Sequence, residues 1–436
     1  MSRAAPFAGV LFAAGIAHAG SADTIGLSPE DIALAGSMAA RPAGFAATYH
    51  NPAGLAPHRL DAAAAEADGE VALGFVYAHP LVYAERSDGS ALPLAAEAAD
   101  TRTFVAGGRA HLGAPFGVGR LALGLALELP TRNIFRWSIH PDDRPQWLLL
   151  TDRTEHIGFR AALSWRLDDV IALGGGASVL FTAETLTTGR ITEVDRLEDG
   201  TLDVRARLGE EVTVAGRVAP LAGVLVSPHE RIDLGLAYRG ESYVDDFGWT
   251  RVQGVPAAGD VGHVHHFAHY FSPHTVVLAV AARPHRAVTV SADLAWANWA
   301  AALTTNHAAL GPGRFGDTLI PAAGVSLRAA ERLDLFAGYR FVRSPFDNLG
   351  GPTNLLDNDQ HVASLGGRIA LGTLAESSVA FALGYALRLA VLVAREEEKD
   401  PRRFESDAAF LRNPGRAPYR FGGAVPGASL AVEAAW

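Results

Sequence analysis

The residues with the widest chemical reach are four histidines in "GHVHHFAHYFSPH" (262–274). His263, His265, His266 and His269 lie close enough along the chain to share a metal ion. The chain has no cysteine, and no carboxylate stands at tight ligand spacing beside them. Phe267, Tyr270 and Phe271 offer the other reading, an adaptable apolar surface that gathers a ligand. A second set is ionic. Arg109, Arg160, Arg239 and Arg340 share a phase with Asp233, Asp293 and Asp334 in alternating segments, so guanidinium groups there either pair with aspartates or meet a ligand carboxylate. A third is "RNIFRWSIHPDDRPQWLLL" (132–150), where Ile134, Phe135, Trp137, Trp147 and Leu148 suit a capture groove or an interfacial aromatic belt. Nucleophile elbow, phosphate loop and zinc-hydrolase motifs are missing from the sequence, and no cofactor is expected. An enzyme that assembles Ser, His and an acid from separate strands stays open.

One short stretch is conformational rather than chemical. In "TYHNPAGLA" (48–56), Pro52 fixes its own φ and keeps Asn51 out of the helical region. Asn51 can then cap nearby backbone groups, and Gly54 is free to take a positive φ. A rigid turn, Asn51-Pro52-Ala53-Gly54, is expected just ahead of the first strand.

The elements that must position these groups are strands. Leu121, Leu123, Leu125, Leu127 and Leu129 alternate with small or charged residues. The same period of two runs through Ile157–Trp165, Ile232–Tyr238 and Val288–Trp296. One face suits hydrocarbon and the other is polar or very small, which fits a membrane barrel. A soluble β-sandwich shows the same alternation with its apolar faces turned inward. Connection lengths separate the two. Short turns (113–118, 168–169, 227–230, 284–285, 329–332, 372–377) alternate with long loops (86–100, 131–154, 187–209, 245–273, 300–317, 344–360, 395–426). That sorting predicts about fourteen antiparallel strands from residue 71 to 436, closed into one barrel so that no sheet edge faces lipid. The last strand places Leu430, Val432, Ala434 and Trp436 on one face, an ending suited to recognition by barrel-assembly machinery.

The N-terminus, "MSRAAPFAGVLFAAGIAHAG", pairs Arg3 with a short apolar run and Ala17-His18-Ala19, so residues 1–19 read as a cleaved signal peptide. The run is too short to span a membrane as a helix. Residues 20–70 contain helix-like pieces, Pro29–Met38 and Asp61–Ala67, but roughly fifty residues cannot hold a separate core, so they are expected against or inside the barrel as a plug. Hydrophobic residues make up 49% of the 436, and mean hydropathy is +0.13. They come in short pieces, as strands require. A net charge of −10 argues against nucleic acid as a partner. The expected location is the outer membrane of a Gram-negative bacterium, in contact with lipid and lipopolysaccharide, and the closed barrel is read as a monomer.

Three segments carry a resemblance. "IALAGSMAARPAGFAATYHNPAGLA" (32–56), "VTVSADLAWANWAAAL" (288–303, with Trp296 and Trp299) and "DLFAGYRFVRSPFDNLGGPTNLLDNDQHVASLGG" (334–367) are similar to the FadL-type outer-membrane transporters of long-chain fatty acids and other hydrophobic compounds, toluene and xylene among them. The resemblance implies an N-terminal hatch, and Asn51, Pro52, Ala53 and Gly54 are expected to be its gate, the part that ligand binding shifts to open a path. It also implies long loops that collect an apolar ligand, and release sideways into the membrane through a gap at a kinked strand. Fatty acid and aromatic hydrocarbon both remain open as cargo. A water-filled diffusion porin is the competing reading, and a barrel hydrolase the next.

Overall fold

A computed structural model describes residues 21–56, 69–90, 92, 100–114, 119–131, 145, 147, 157–196, 202–255, 259–301, 314–348, 350–351, 354, 356–373, 378–404, 406–413 and 415–436. The signal-peptide reading and the helix expected at Asp61–Ala67 lie outside them. The strands are β1 (Gly69–Ala78), β2 (Leu81–Arg86), β3 (Thr101–Gly113), β4 (Arg120–Pro130), β5 (Gly158–Arg166), β6 (Ile171–Arg196), β7 (Leu202–His229), β8 (Ile232–Arg239), β9 (Ser242–Val255) and β10 (Gly259–Ser272). They continue as β11 (Thr275–His285), β12 (Val288–Ala297), β13 (Arg314–Phe315), β14 (Thr318–Ala330), β15 (Leu333–Val342), β16 (Phe346–Asn348), β17 (Gln360–Thr373), β18 (Ala380–Glu397) and β19 (Tyr419–Ala435).

Three crossings are each built from two consecutive strands, β1–β2, β8–β9 and β10–β11, while among the described residues β13 and β16 pair only with each other. Fourteen antiparallel crossings result. The first meets the last in continuous register from Glu70↔Ala435 to Ala78↔Gly427, so the sheet closes. Below that ladder Trp436 and Gly69 exchange backbone bonds of 3.1 and 3.2 Å. Hydrocarbon offers no partner to a free N–H or C=O, and this ladder supplies one to the first and last crossings. The faces follow the alternation. Leu125, Leu127 and Leu129 point outward and are exposed, whereas Ala122, Ala126 and Glu128 point inward and are buried.

Two expected loops are largely strand. β6 and β7 run on to Arg196 and start again at Leu202, and β9 and β10 fill 242–272. Above the hydrocarbon both faces of a hairpin are wet, so the apolar period of two disappears while backbone pairing continues. For the same reason β19 begins at Tyr419, earlier than the apolar pattern suggests.

The segment 21–56 fills the lumen. Its helix α1 (Pro29–Ala33) starts at Ser28, whose hydroxyl accepts from Asp31 N, with Pro29 in the first turn. It stops five residues earlier than the expected Met38, because Ala35 and Gly36 take φ of 52° and 80°, a left-handed exit. A second short helix, α2 (Ala47–His50), runs into Asn51. Ile32, Leu34, Met38 and Phe45 pack with Val76, Val105, Phe336 and Val362 of the wall, so the core lies inside the barrel.

Glycines of six strands admit this segment. A Cβ at Gly107 would overlap Phe45, at Gly124 Leu55, and at Gly174 the backbone of Pro52 and Ala53. At Gly223, Gly235 and Gly338 it would overlap Asn51, Ala39 and Leu34. Gly174→Val is therefore expected to cost about 1–3 kcal/mol by overpacking. The barrel should still fold while trypsin gains access at Arg41; an unchanged digestion pattern would show that the segment does not depend on this close approach.

Candidate functional site

The Asn51 turn is the most tightly bound part of the lumenal segment. Asn51 is fully buried. Its Oδ1 accepts from Ala53 N at 3.1 Å, capping the single 3₁₀ turn Pro52–Leu55. Its Nδ2 donates to Ala39 O at 2.7 Å and to Val224 O of β7 at 3.1 Å. Ser164 Oγ of β5 donates to Ala53 O at 2.8 Å. Gly54 does not take a positive φ. It is small because Pro42 packs where its Cβ would stand, a steric need rather than a conformational one.

A second set of contacts holds the start of the segment, and these are polar. Ala22 N donates to Glu128 Oε2 at 2.8 Å, and the other oxygen of Glu128 is ion-paired to Arg160. Asp23 accepts from the Tyr49 hydroxyl and, at 2.9 Å, from Ser272 Oγ. The Tyr49 ring lies between the guanidinium groups of Arg160 and Arg239, 5.0 and 4.4 Å from its centroid. Thr24 O accepts from Arg340 Nη2 and from Arg388 Nη2, each at 3.1 Å. A cavity of about 170 Å³ opens beside these groups, bordered by Tyr49, Arg239, Arg340 and Arg388 and on its apolar side by Val277 and Val425.

The expected pairing of lumen arginines with aspartates takes a different form. Arg109 meets Glu70 at 3.0 Å, and Arg160 meets Glu128. Asp233 pairs with Arg283 and Asp334 with Arg328. Asp293 binds the lumenal segment, accepting from Ala39 N at 2.9 Å and Ser37 Oγ at 3.2 Å. Arg340 borders the cavity, whereas Arg160 is spent on Glu128 and Tyr49. Arg388 was not anticipated. Its signal was present, since it occupies the inward phase between Leu387 and Leu389, which face lipid.

On the extracellular side, Trp147 and Phe271 are buried in one aromatic cluster with Trp299, Phe315, Phe346 and Phe421. Trp147 Nε1 donates to Asn358 Oδ1 at 3.2 Å. Phe135 and Trp137 lie outside the described residues. Phe267, Tyr270 and the four histidines sit on strand β10 rather than in a loop, and their side chains are outside the description. Among the described residues no three His, Asp or Glu side chains are grouped to hold a metal ion.

The cavity also touches the wall where one strand ladder stops. Ala78, Pro80 and Thr101 border it. There the β1–β3 ladder ends at Ala78↔Thr101, and Pro80 has no N–H to extend it. On the outer side Asp100 bridges the two crossings, 2.5 Å from His79 Nδ1 and 2.7 Å from Arg102 Nη2.

The family model for outer membrane protein transport proteins (OMPP1/FadL/TodX) matches residues 8–409. Curated proteins give no significant match to the sequence. Among solved structures, a Pseudomonas aeruginosa FadL homologue is similar at 14% identity, with 94% of this chain and 98% of that one covered and a TM-score of 0.60. The P. putida toluene transporter TodX follows at 13% identity, 94% and 98% coverage and a TM-score of 0.56. The Ralstonia pickettii toluene transporter TbuX gives 12%, 94% and 99%, and 0.55. At such identities the likeness is one of fold.

Asn51→Ala removes the cap and leaves the carbonyls of Ala39 and Val224 without this donor. A loss of about 1–3 kcal/mol is expected, measured by denaturant unfolding together with faster amide exchange at Ala53; exchange as slow as in the parent would deny the turn an anchoring role.

Proposed function

The chain belongs to the outer membrane transport protein family of OMPP1, FadL and TodX, and from that premise we propose that its cargo is a long-chain fatty acid, taken up passively and released sideways into the membrane. The coarser statement needs no proposal: it is an outer-membrane β-barrel channel for hydrophobic compounds and not an enzyme. The observation that carries the finer reading is Arg388. It is 7% exposed, borders the cavity, and has no carboxylate partner among the described residues. A hydrocarbon such as toluene gives that charge nothing, whereas a fatty-acid carboxylate gives it a charge-assisted partner. The four aspartates around the cavity do not fill this role. Asp31 is taken by His50 and Leu27 N, Asp293 by the lumenal segment, and Asp23 by Tyr49 and Ser272. Asp357 also borders the cavity but makes no ion pair with Arg388.

In this reading the segment 21–56 is a hatch. Asn51, Pro52, Ala53 and Gly54 anchor it, and the polar contacts of Ala22–Thr24 are the part that yields. Release is assigned to the wall at Pro80, where the strand ladder ends beside the cavity. The aromatic residues of the extracellular side, Phe135, Trp137, Trp147, Phe267, Tyr270 and Phe271, serve capture from the lipopolysaccharide layer. Export through a cleaved 1–19 segment, assembly through Trp436 and action as a monomer complete the reading.

Three measurements test it. The protein in planar bilayers is expected to show little conductance, and in cells it should raise uptake of laurate or oleate over a strain without it; large steady conductance would mark a diffusion porin, and stimulation of toluene entry alone would mark an aromatic channel. Because the chain has no cysteine, the pair Ala78→Cys and Thr101→Cys can be crosslinked cleanly. Oxidation should block uptake and reductant should restore it, whereas full uptake when oxidised would place the exit elsewhere.

A further inference from the structure

Aromatic side chains from distant parts of the extracellular mouth meet in one buried layer. Trp147 comes from the β4–β5 connection, Phe271 from the end of β10, Trp299 from just beyond β12, Phe346 from β16 and Phe421 from the start of β19. None of the five is more than 5% exposed. Their rings are in contact through Phe315, which stacks on Trp299 at 6.3 Å and lies 4.5 Å from Phe346, while Phe271 lies 5.7 Å from Trp299. The layer sits directly over the cavity, because Ala297, Trp299 and Ile320 belong to both. It has little to offer a polar group. Tyr419, 1% exposed within it, has a hydroxyl with no hydrogen-bond partner among the described residues. The amide of Asn358 is already committed, to Trp147 Nε1 and to the carbonyls of Val393 and Phe421.

We propose that this layer is the selectivity step of entry, a dry aromatic septum that a solute crosses to reach the cavity, with Trp299 as its specificity-determining residue. Apolar surface gains by exchanging water for aromatic rings. A hydroxyl or an amide gives up its water there and receives no hydrogen bond in return. Discrimination by polarity therefore comes before any group in the cavity is reached. Trp299 holds the decisive place because its ring is both part of the layer and part of the cavity border. The septum can part without opening the barrel. Phe315 and Phe346 face each other on the β13–β16 ribbon, a separate two-stranded sheet, so they can move with it while the ladders of the wall stay paired. The septum treats a hydrocarbon and an acyl chain alike, and so does not rest on the fatty-acid reading.

The chain has no cysteine, so a single reporter thiol, Val277→Cys, can be placed on the apolar side of the cavity. The full chain carrying it, in lipid nanodiscs, is treated with propyl methanethiosulfonate or with hydroxyethyl methanethiosulfonate. The two reagents match in length and differ in ending on a methyl or a hydroxyl group. Each rate is divided by that reagent's rate with mercaptoethanol in solution. The propyl reagent is expected to react roughly tenfold faster or more. Added to the reporter, Trp299→Gln should raise the hydroxyethyl rate by about the same factor, whereas Trp299→Phe should keep the original selectivity. Equal rates for the two reagents on the reporter alone would overturn the septum, as would reaction of neither. So would Trp299→Gln with an unchanged ratio, which would place the apolar route elsewhere, through the wall at Pro80. Phe346→Gln is expected to act as Trp299→Gln does and supplies the same comparison if that variant fails to fold. Laurate that is neither bound nor taken up would sink the fatty-acid reading and leave these rates as they are.

Discussion

Hydrocarbon accepts no unpaired backbone group, and that constraint organises the molecule. It requires the first crossing to meet the last, which the Glu70↔Ala435 to Ala78↔Gly427 ladder accomplishes. It also turns leucine outward and pushes everything charged inward, so the lumen becomes the only place at membrane depth where Glu128, Arg160, Asp293 and Arg388 can exist. A barrel of this circumference is too wide for its own small inward residues to fill. The N-terminal segment supplies the missing interior, and the ionic groups of the wall are largely organised around it.

Two kinds of contact divide that interior. Shape holds much of the middle and end of the segment, where backbone lies against glycines of the wall, and the turn at Asn51 and Ala53 is tied to β7 and β5. Charged groups hold its start, where Glu128, Asp23, Arg340 and Arg388 each contribute one or two bonds, and Asp293 adds two more at Ser37 and Ala39. Steric fit is insensitive to what enters the lumen, but ionic contacts can be redistributed by a ligand that brings its own charge.

Much of this was legible in the sequence. Period-two leucines in 121–129 and the sorted lengths of the connections revealed the barrel, because lipid enforces alternation on every residue it touches. Beyond the hydrocarbon that enforcement ends, which is why β9 and β10 looked like loop from residues such as Asp245, Asp246 and the four histidines. Within the lumen, phase told which arginines face inward but not their partners. Partner choice depends on shear between strands, so Arg109 and Arg160 found glutamates rather than aspartates. Gly54 was noticed for the wrong reason, since a glycine needed for close approach and one needed for a positive φ look alike in sequence. Arg388 is legible by phase, but its surroundings, "YALRLAVLV", are otherwise so apolar that the inward charge does not stand out.

The glycine-lined wall has an evolutionary consequence. Positions 174 and 338 face the backbone at 52–53 and 34–35 with no spare room, so a larger residue on the wall is tolerable only if the opposing chain recedes in the same lineage. Wall and interior segment must therefore drift as partners, although they are far apart in sequence. A chimera that joins the barrel of one relative to the N-terminal segment of another would be expected to inherit a misfit unless those facing positions travel together.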